Sequence, residues 1–343
     1  MTNYQKGMVS FCCVCYNHAQ FIEDCIKSLQ NQDYKNIEIL ILDDGSKDNS
    51  VEVINKLKET SSCPMRVITQ ENCGNVGANF NKLINDAQGE YVSIISCDDM
   101  WIENSLSKRM QALLDDPNLA FTCNSRFAEV DENNNKTSTC PPIALDSLAN
   151  PTAERILELE YSTLGAYYIQ GGIYKTEIVK AVGGFDEDMI CDDIILRTKI
   201  ARYITEHEEL KFKVFYEPSI YYRRHSNNLS DNTVRQIKSV LQYLSRYWSD
   251  REPPKIIYDW ITYGLWTNFD DTRNIFFPND YIAKIVSNMD RNIFVKNDDG
   301  VLYKTQGVKY LFEILSYRTK EQKTKIIKLF GKIIIKKKKF VNN

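Results

Sequence analysis

Apolar positions along the first 120 residues switch repeatedly between two periods. Met8 to Cys15 is a nearly unbroken apolar run, the pattern of a strand buried on both faces. Phe21, Ile22, Cys25, Ile26 and Leu29 then recur at helical spacing. Ile37 to Leu42 predicts a second strand, and Val51, Val53, Ile54 and Leu57 a second helix. Met65 to Thr69 predicts strand, Val76 to Ile84 helix, and Tyr91 to Ile95 strand again. Such alternation predicts an α/β fold with a doubly wound, mainly parallel sheet flanked by helices.

The middle of the chain is less regular. Asp131 to Lys136 is polar and predicts a surface turn or hairpin tip, and Pro141-Pro142 and Asn150-Pro151 punctuate a loop-rich stretch. Glu154 to Glu160 has helical character, and Gly171-Gly172 and Gly183-Gly184 flank a strand-plus-helix unit. Phe212–Tyr216 and Ser219–Arg223 predict two more strands. Beyond about residue 232 the pattern predicts helix. Three segments follow: 1–125, 126–232, and a helical C-terminal extension over 233–343.

Composition adds exclusions. The chain has 343 residues and a net charge of -3, but ten Lys/Arg and one acid fall between Arg318 and Lys339. The remainder is strongly acidic, which argues against a nucleic-acid partner. In the tail, Ile326, Ile327, Leu329, Phe330, Ile333 and Ile334 share one helical face and Lys325, Lys328, Lys332 and Lys336 the other. That predicts either a helix lying in anionic lipid headgroups through 318–340 or an ordinary packed helix with a solvated basic end. Cys12, Cys13 and Cys15 crowd one apolar strand, so reduced, mostly buried thiols are expected. No leader and no run of about 18 apolar residues is evident, so the expected setting is cytoplasmic, with peripheral contact at the inner face of the membrane.

The chemistry lies at strand ends. The second strand runs into Asp43-Asp44-Gly45-Ser46, and the strand after Tyr91 into Ser96-Cys97-Asp98-Asp99. Ligands of open α/β sheets bind at the carboxyl ends of the strands. Two strands delivering acids to one rim point to a polar ligand with a divalent cation. Asp43 could accept the imino proton of a uracil or hold a ribose hydroxyl. Equally, it could shape the turn and cap the next helix.

With Gly89-Glu90-Tyr91 upstream and Trp101 downstream, this pattern resembles the nucleotide-sugar half of a family 2 glycosyltransferase with the GT-A fold. Tyr16-Asn17 matches the family's opening loop, so the resemblance places Tyr16 beside the base. Asn72-Cys73-Gly74 matches its Asn-x-Gly, which lines the nucleotide pocket, but the usual Ala-Arg-Asn is here Ala78-Asn79-Phe80. The family's Asp-x-Asp appears as Ser96-Cys97-Asp98, with Asp98 at the metal-gripping position and Asp99 a further acid. Gly183-Gly184-Phe185-Asp186-Glu187 with Asp192-Asp193 resembles the segment that supplies the base: Asp193 by alignment, with Asp192 positioning. Arg223-Arg224-His225 resembles the late Arg-x-His-x-x-Ser element. His225 would then hold the metal or the diphosphate, and Arg223 or Arg224 would neutralise phosphate.

The resemblance implies an inverting hexosyltransferase using Mg2+ or Mn2+ and a nucleotide-diphospho-sugar, most simply UDP-linked. The acceptor would be a glycan or a lipid-linked saccharide in bacterial polysaccharide synthesis. Ser96 keeps a second reading open, a degenerate sugar-nucleotide-binding protein. A sugar-nucleotide pyrophosphorylase needs a Gly- and Lys/Arg-rich loop after the first strand, where this chain has Tyr16 to Gln20. A nicotinamide dehydrogenase needs a Gly-x-Gly-x-x-Gly that no strand here precedes. Oligomeric state and the sugar itself are not encoded in any readable motif.

Overall fold

A computed structural model describes residues 4–139, 144–148, 151–190 and 193–267, and the backbone of five strands between 292 and 340. The elements begin with β1 (Gln5–Cys15), α1 (Ile22–Gln30), β2 (Ile37–Asp43), α2 (Ser50–Glu59), β3 (Met65–Thr69), α3 (Val76–Asp86) and β4 (Gly89–Ser96). They continue with β5 (Met100–Trp101), α4 (Leu106–Asp115), β6 (Leu119–Asn124), β7 (Ala128–Val130), β8 (Lys136–Thr139), α5 (Ala153–Ser162) and β9 (Tyr168–Lys175). Then come α6 (Thr176–Ala181), α7 (Asp193–Thr205), β10 (Lys211–Phe215) and β11 (Ile220–Arg223). The chain divides into two compact units, 1–228 and 229–343.

In the first unit a seven-stranded sheet has the order β10-β6-β9-β4-β1-β2-β3. Every pairing is parallel except those of β9, which runs antiparallel to both β4 and β6. Strand alternation sorts the apolar residues onto two faces. Val9, Phe11 and Cys13 of β1 pack with Ile22, Ile26 and Leu29 of α1. Cys12 and Val14 pack on the other face with Phe80 and Leu83 of α3. Burial on both faces explains why β1 and β2 read as continuous apolar runs. A smaller sheet, β5-β11-β7-β8, carries Arg223 at the end of β11. The polar stretch after β7 is the tip of the β7–β8 hairpin, closed by Asp131 and Asn135.

Charge is also buried beneath the core. Glu160 of α5 has no exposed surface and takes a two-pronged bond from Arg197 of α7, at 2.6 and 3.1 Å. This pair joins α5 to α7, the helix whose first residue is Asp193.

The second unit begins with α8 (Thr233–Tyr247), capped by the Asn232 side chain, and α9 (Lys255–Thr267). It ends in an antiparallel sheet: β12 (Asn292–Lys296), β13 (Leu302–Lys309), β14 (Phe312–Arg318), β15 (Gln322–Leu329) and β16 (Lys332–Phe340). The expected amphipathic helix over 318–340 is therefore corrected: this tail is a hairpin, and the extension is helical only in its first part. Five isoleucines at 326, 327, 333, 334 and 335 account for the difference, since β-branched side chains favour strands. Short mixed runs of Ile and Lys fit either period. The eight described cysteines are all free, six of them buried, with Cys63 half-buried and Cys73 exposed.

Replacing Glu160 by Ala strands a buried guanidinium. The expected cost is about 3–5 kcal/mol, read as a lower urea midpoint at unchanged slope. A loss below about 1 kcal/mol would mean that Arg197 has found water or another partner.

Candidate active site

Four parallel strands, β3, β2, β1 and β4, end at one rim, and the loops that leave them are bonded to one another. After β1 the chain turns through Asn17, whose φ is +57°. The amides of Asn17, His18 and Ala19 donate to Ser46 Oγ, Ser50 Oγ and Asp48 Oδ2, at 2.8, 2.9 and 3.0 Å. Lys47 N–H donates back to Asn17 Oδ1 at 2.7 Å. Tyr16, next to this turn, is exposed.

Asp43 and Asp44 are both buried, and they divide their work. Asp43 accepts from the amide and hydroxyl of Ser46, closing its own turn. Asp44 accepts from Gln70 Nε2 at 2.7 Å and from the Cys73 amide at 3.0 Å, reaching into the loop after β3. Burial works against its ionisation, but these donors and Asn79 outweigh it and hold the carboxyl below its usual range. Gly45 between them has φ +74°, and a Cβ there would lie 2.7 Å from the Asn72 amide nitrogen. Only glycine permits both the turn and that approach. Asn72 and Gly74 are exposed on the same loop, Gly74 at φ +67°.

Two asparagines stand where the resemblance expects Ala-Arg-Asn. Buried Asn79 accepts from Gln70 at 2.9 Å. Asn81 accepts from the Phe185 amide at 2.8 Å and donates to Glu187 Oε1 at 2.9 Å. The Gly183–Glu187 segment is thereby docked on α3. Asp193 opens α7, partly exposed, with Arg197 Nη1 3.8 Å away. Asp192 lies outside the described residues.

Asp98 occupies the centre. Its Oδ2 is 3.1 Å from His225 Nε2 and 3.7 Å from His18 Nε2. Asn227 N–H points at His225 Nδ1 (3.3 Å), so Nε2 carries the hydrogen that His225 gives to Asp98. Burial opposes ionisation of Asp98, yet the His225 bond, the nearby His18 and Ser96 bring its carboxyl down to about 2. Its Oδ1 is buried with no hydrogen-bond partner among the described residues, and so is His18 Nδ1. Burial lowers the pKa of His18, against the opposing pull of Asp98, so this imidazole is neutral near pH 7.

Asp99 faces elsewhere. Its oxygens accept from the Arg223 amide (2.9 Å), Gln170 Nε2 (2.8 Å) and Tyr168 OH (3.3 Å). Burial and the adjacent Asp98 push its carboxyl well above the usual range. Both oxygens of Asp99 are thus taken up by the neighbouring strands. Arg224 likewise bonds Glu129 at 3.0 Å and lies over the Tyr222 ring, on the small sheet.

Two residues do the positioning: Gln170, which lies outside the expected set, and Arg223, which the resemblance places at phosphate but whose guanidinium is spent inside the protein. Gln170 of β9 accepts the Ser96 amide at 2.9 Å, and fully buried Arg223 donates from Nε to the Asp98 carbonyl at 2.8 Å. A polar Gln in the otherwise apolar run of β9 is the one sequence signal that marks the former. Tyr168 ties the site together: burial, then Asp99 and Asp193, and more weakly Asp98, raise its phenol. The acid that opens α7 and those that end β4 thus act on one side chain. Among the described residues no three His, Cys, Asp or Glu side chains are already gathered around a metal-sized point.

With this geometry in place, comparison decides the family. The profile described as Glycosyl transferase family 2 matches residues 10–183, just over half of the chain. The chain belongs to glycosyl transferase family 2. Poly-beta-1,6-N-acetyl-D-glucosamine synthase of Staphylococcus aureus (strain COL) is 30% identical over 196 residues, 56% of this chain and 45% of that protein. The putative glycosyltransferase EpsH of Bacillus subtilis (strain 168) is 37% identical over 129 residues, 38% of this chain and 36% of that protein. The chain thus spans under half the length of these curated relatives. Among solved structures, S. aureus TarS 1–349 in complex with UDP-GlcNAc superposes with a TM-score of 0.53 at 16% identity, over 82% of this chain and 73% of that one. Mannosyltransferase PcManGT from Pyrobaculum calidifontis, in complex with GDP-Man and Mn2+, gives a TM-score of 0.51 at 16% identity, over 82% and 78%. These likenesses show the fold, and the family 2 chain has the GT-A architecture.

The depressed pKa values carry a sign. Asp98 at about 2, against about 3.9 for a free side chain, adds stability above pH about 4 that is lost as pH falls towards 2. His18, lowered from 6.5, favours the fold as the neutral ring, and that contribution declines as pH falls below about 6.5. Asp98→Asn removes the charge that holds the His18 pKa up, so the ring should titrate lower still in an NMR pH series. An upward movement would contradict the assigned contact.

Proposed function

We propose that this glycosyltransferase is a metal-dependent, inverting hexosyltransferase. It takes a sugar from a UDP-linked donor, a UDP-hexose or UDP-N-acetylhexosamine, and places it on a hydroxyl of a glycan or lipid-linked saccharide in bacterial polysaccharide synthesis. The observation that carries this is the ionised Asp98 with one buried oxygen unpartnered at the end of β4. Mg2+ and Mn2+ commonly take one or two protein carboxylates and complete their shell with substrate phosphates. The donor set fits: Asp98 offers an oxygen, His225 adjoins it, and an incomplete protein shell leaves positions for a diphosphate. Once bound, such an ion neutralises charge on the departing diphosphate.

The protein's own part is positional. The loops bearing Tyr16, Asp43, Asp44, Asn72 and Gly74 line one rim and suit a nucleoside. Asp193 takes the proton of the acceptor hydroxyl as that oxygen attacks C1. The C1–O bond to the β-phosphate breaks on the opposite face, UDP leaves, and the anomeric configuration inverts. The relatives support the setting: one is a poly-beta-1,6-N-acetyl-D-glucosamine synthase, and TarS was solved in complex with UDP-GlcNAc.

Attachment to anionic lipid at the inner membrane face remains part of this reading, now through a strand hairpin. In the backbone register Lys323 lies opposite Lys339 and Lys325 opposite Lys337, and a run this rich in lysine is drawn to an anionic lipid surface. No helix among the described residues is long and apolar enough to cross a membrane. A chain ending at residue 319 should stay in solution with vesicles of anionic lipid that pellet the full chain; equal pelleting would remove the hairpin from the account.

The donor site is tested by thermal shift with UDP, GDP, dTDP and CMP, each with and without Mn2+. A ligand at a hundred times its Kd adds about 2.7 kcal/mol, several degrees for a chain of this size. UDP with Mn2+ should give the largest shift. Asp193→Asn should keep that shift and lose transfer. A shift independent of metal would favour the binding-only reading that Ser96 leaves open, and no shift with any nucleotide would reject the donor site.

A further inference from the structure

His18 is a partly buried imidazole whose nearest polar neighbour is Asp98, 3.7 Å from its Nε2. Its backbone amide is held by Ser50 Oγ, which fixes where the side chain starts. The ring makes no hydrogen bond among the described residues, and its Nδ1 is buried and unpartnered. Leaving a buried polar atom unpaired is unfavourable. The ring's Nε2 is 3.7 Å from the same Asp98 oxygen that His225 contacts at 3.1 Å, and the two imidazole centroids are 6.4 Å apart. Asp98 is thus flanked by two imidazoles, with its own Oδ1 also unpartnered. A carboxylate with one oxygen unpartnered among the described residues and two imidazole Nε2 atoms at its other oxygen is a donor set that suits a divalent cation.

We propose that His18 is a direct ligand of the divalent cation held at Asp98, making a site of two histidines and one carboxylate. This rests on the metal-dependent reading above. His225 must give up its hydrogen bond to Asp98 before its Nε2 can bind a metal, whereas His18 Nε2 is uncommitted. The 3.7 Å gap also explains why the set is not gathered around one point beforehand: His18 closes on the ion when it arrives. Imidazole ligands shift preference away from Mg2+, which wants oxygen, towards Mn2+ and the later divalent ions. Losing an outer-shell partner costs about 10–100-fold in affinity, and losing a ligand should cost at least the lower figure.

The test is pulsed EPR of Mn2+ bound to the full chain with UDP, reading the 14N modulation of coordinated imidazole. It is run on the wild type, His18→Ala, His18→Gln and His225→Ala, each checked for fold by circular dichroism. The wild type should show coupling to nitrogen that falls on either His18 substitution, together with Mn2+ affinity weakened about tenfold or more. The ratio of Mn2+ to Mg2+ affinity should fall as well. Modulation and affinity unchanged in both His18 variants, while His225→Ala loses them, would overturn the assignment and leave the metal-dependent reading standing. Absence of bound Mn2+ in the wild type with UDP would overturn both.

Discussion

A guanidinium with no exposed surface has to be satisfied on every side, and the Arg223 side chain imposes that condition on the whole site. Its Nε holds the Asp98 carbonyl, its Nη1 reaches Asn134 at 2.6 Å, and its Nη2 pairs with Asp24 of α1 at 3.3 Å. One face lies over the Phe21 ring, 4.7 Å from its centroid. Its amide meanwhile binds Asp99. One residue therefore ties the end of β4, the hairpin tip after β7 and the first helix into a single arrangement. Asp98 can stand ionised and half unpartnered because its backbone is not free to turn it elsewhere.

The nucleotide-side loops follow the same logic with weaker parts. Short polar residues answer backbone amides across loops, so each loop is held by its neighbour as well as by its own strand. This is pre-organisation by exchange of caps: Ser46, Asp48 and Ser50 serve the turn after β1, and Asp44 serves the loop after β3. A ligand entering such a rim finds its partners already placed, and little ordering cost is left to bind against.

Much of this could be seen in the chain itself. The unbroken apolar runs and the period-3.6 runs up to β4 correspond to real elements with ends displaced by a few residues, because those segments are long and buried. The acids at strand ends are legible for the reason that strand ends face ligands. Which acid of a pair does what is not legible: Asp98 and Asp99 are separated only by how the turn after β4 is held, and that depends on Gln170 and Arg223, far away in sequence. Asp43 and Asp44 differ in the same manner, one bonding within its turn and the other across to the next loop. His18 follows Tyr16-Asn17 in the loop that the resemblance places beside the base; that it also faces Asp98 and His225 shows only when the loops after β1, β4 and β11 are seen together. The tail misleads because isoleucine and lysine in short runs satisfy both periods.

The place of β9 has a consequence for how the chain is made. It comes from the middle of the sequence and slots antiparallel between β4 and β6, so both of those strands present an unpaired edge until it arrives. On a ribosome adding about 5–20 residues each second, the interval from the end of β4 to the end of β9 lasts about 4–16 s. During that time β4 is an open apolar edge, the kind that pairs with whatever strand comes near. The strand that fills this gap is also the one that brings Gln170 to the Ser96 amide, so covering the β4 edge and fixing the turn that carries Asp98 are one event.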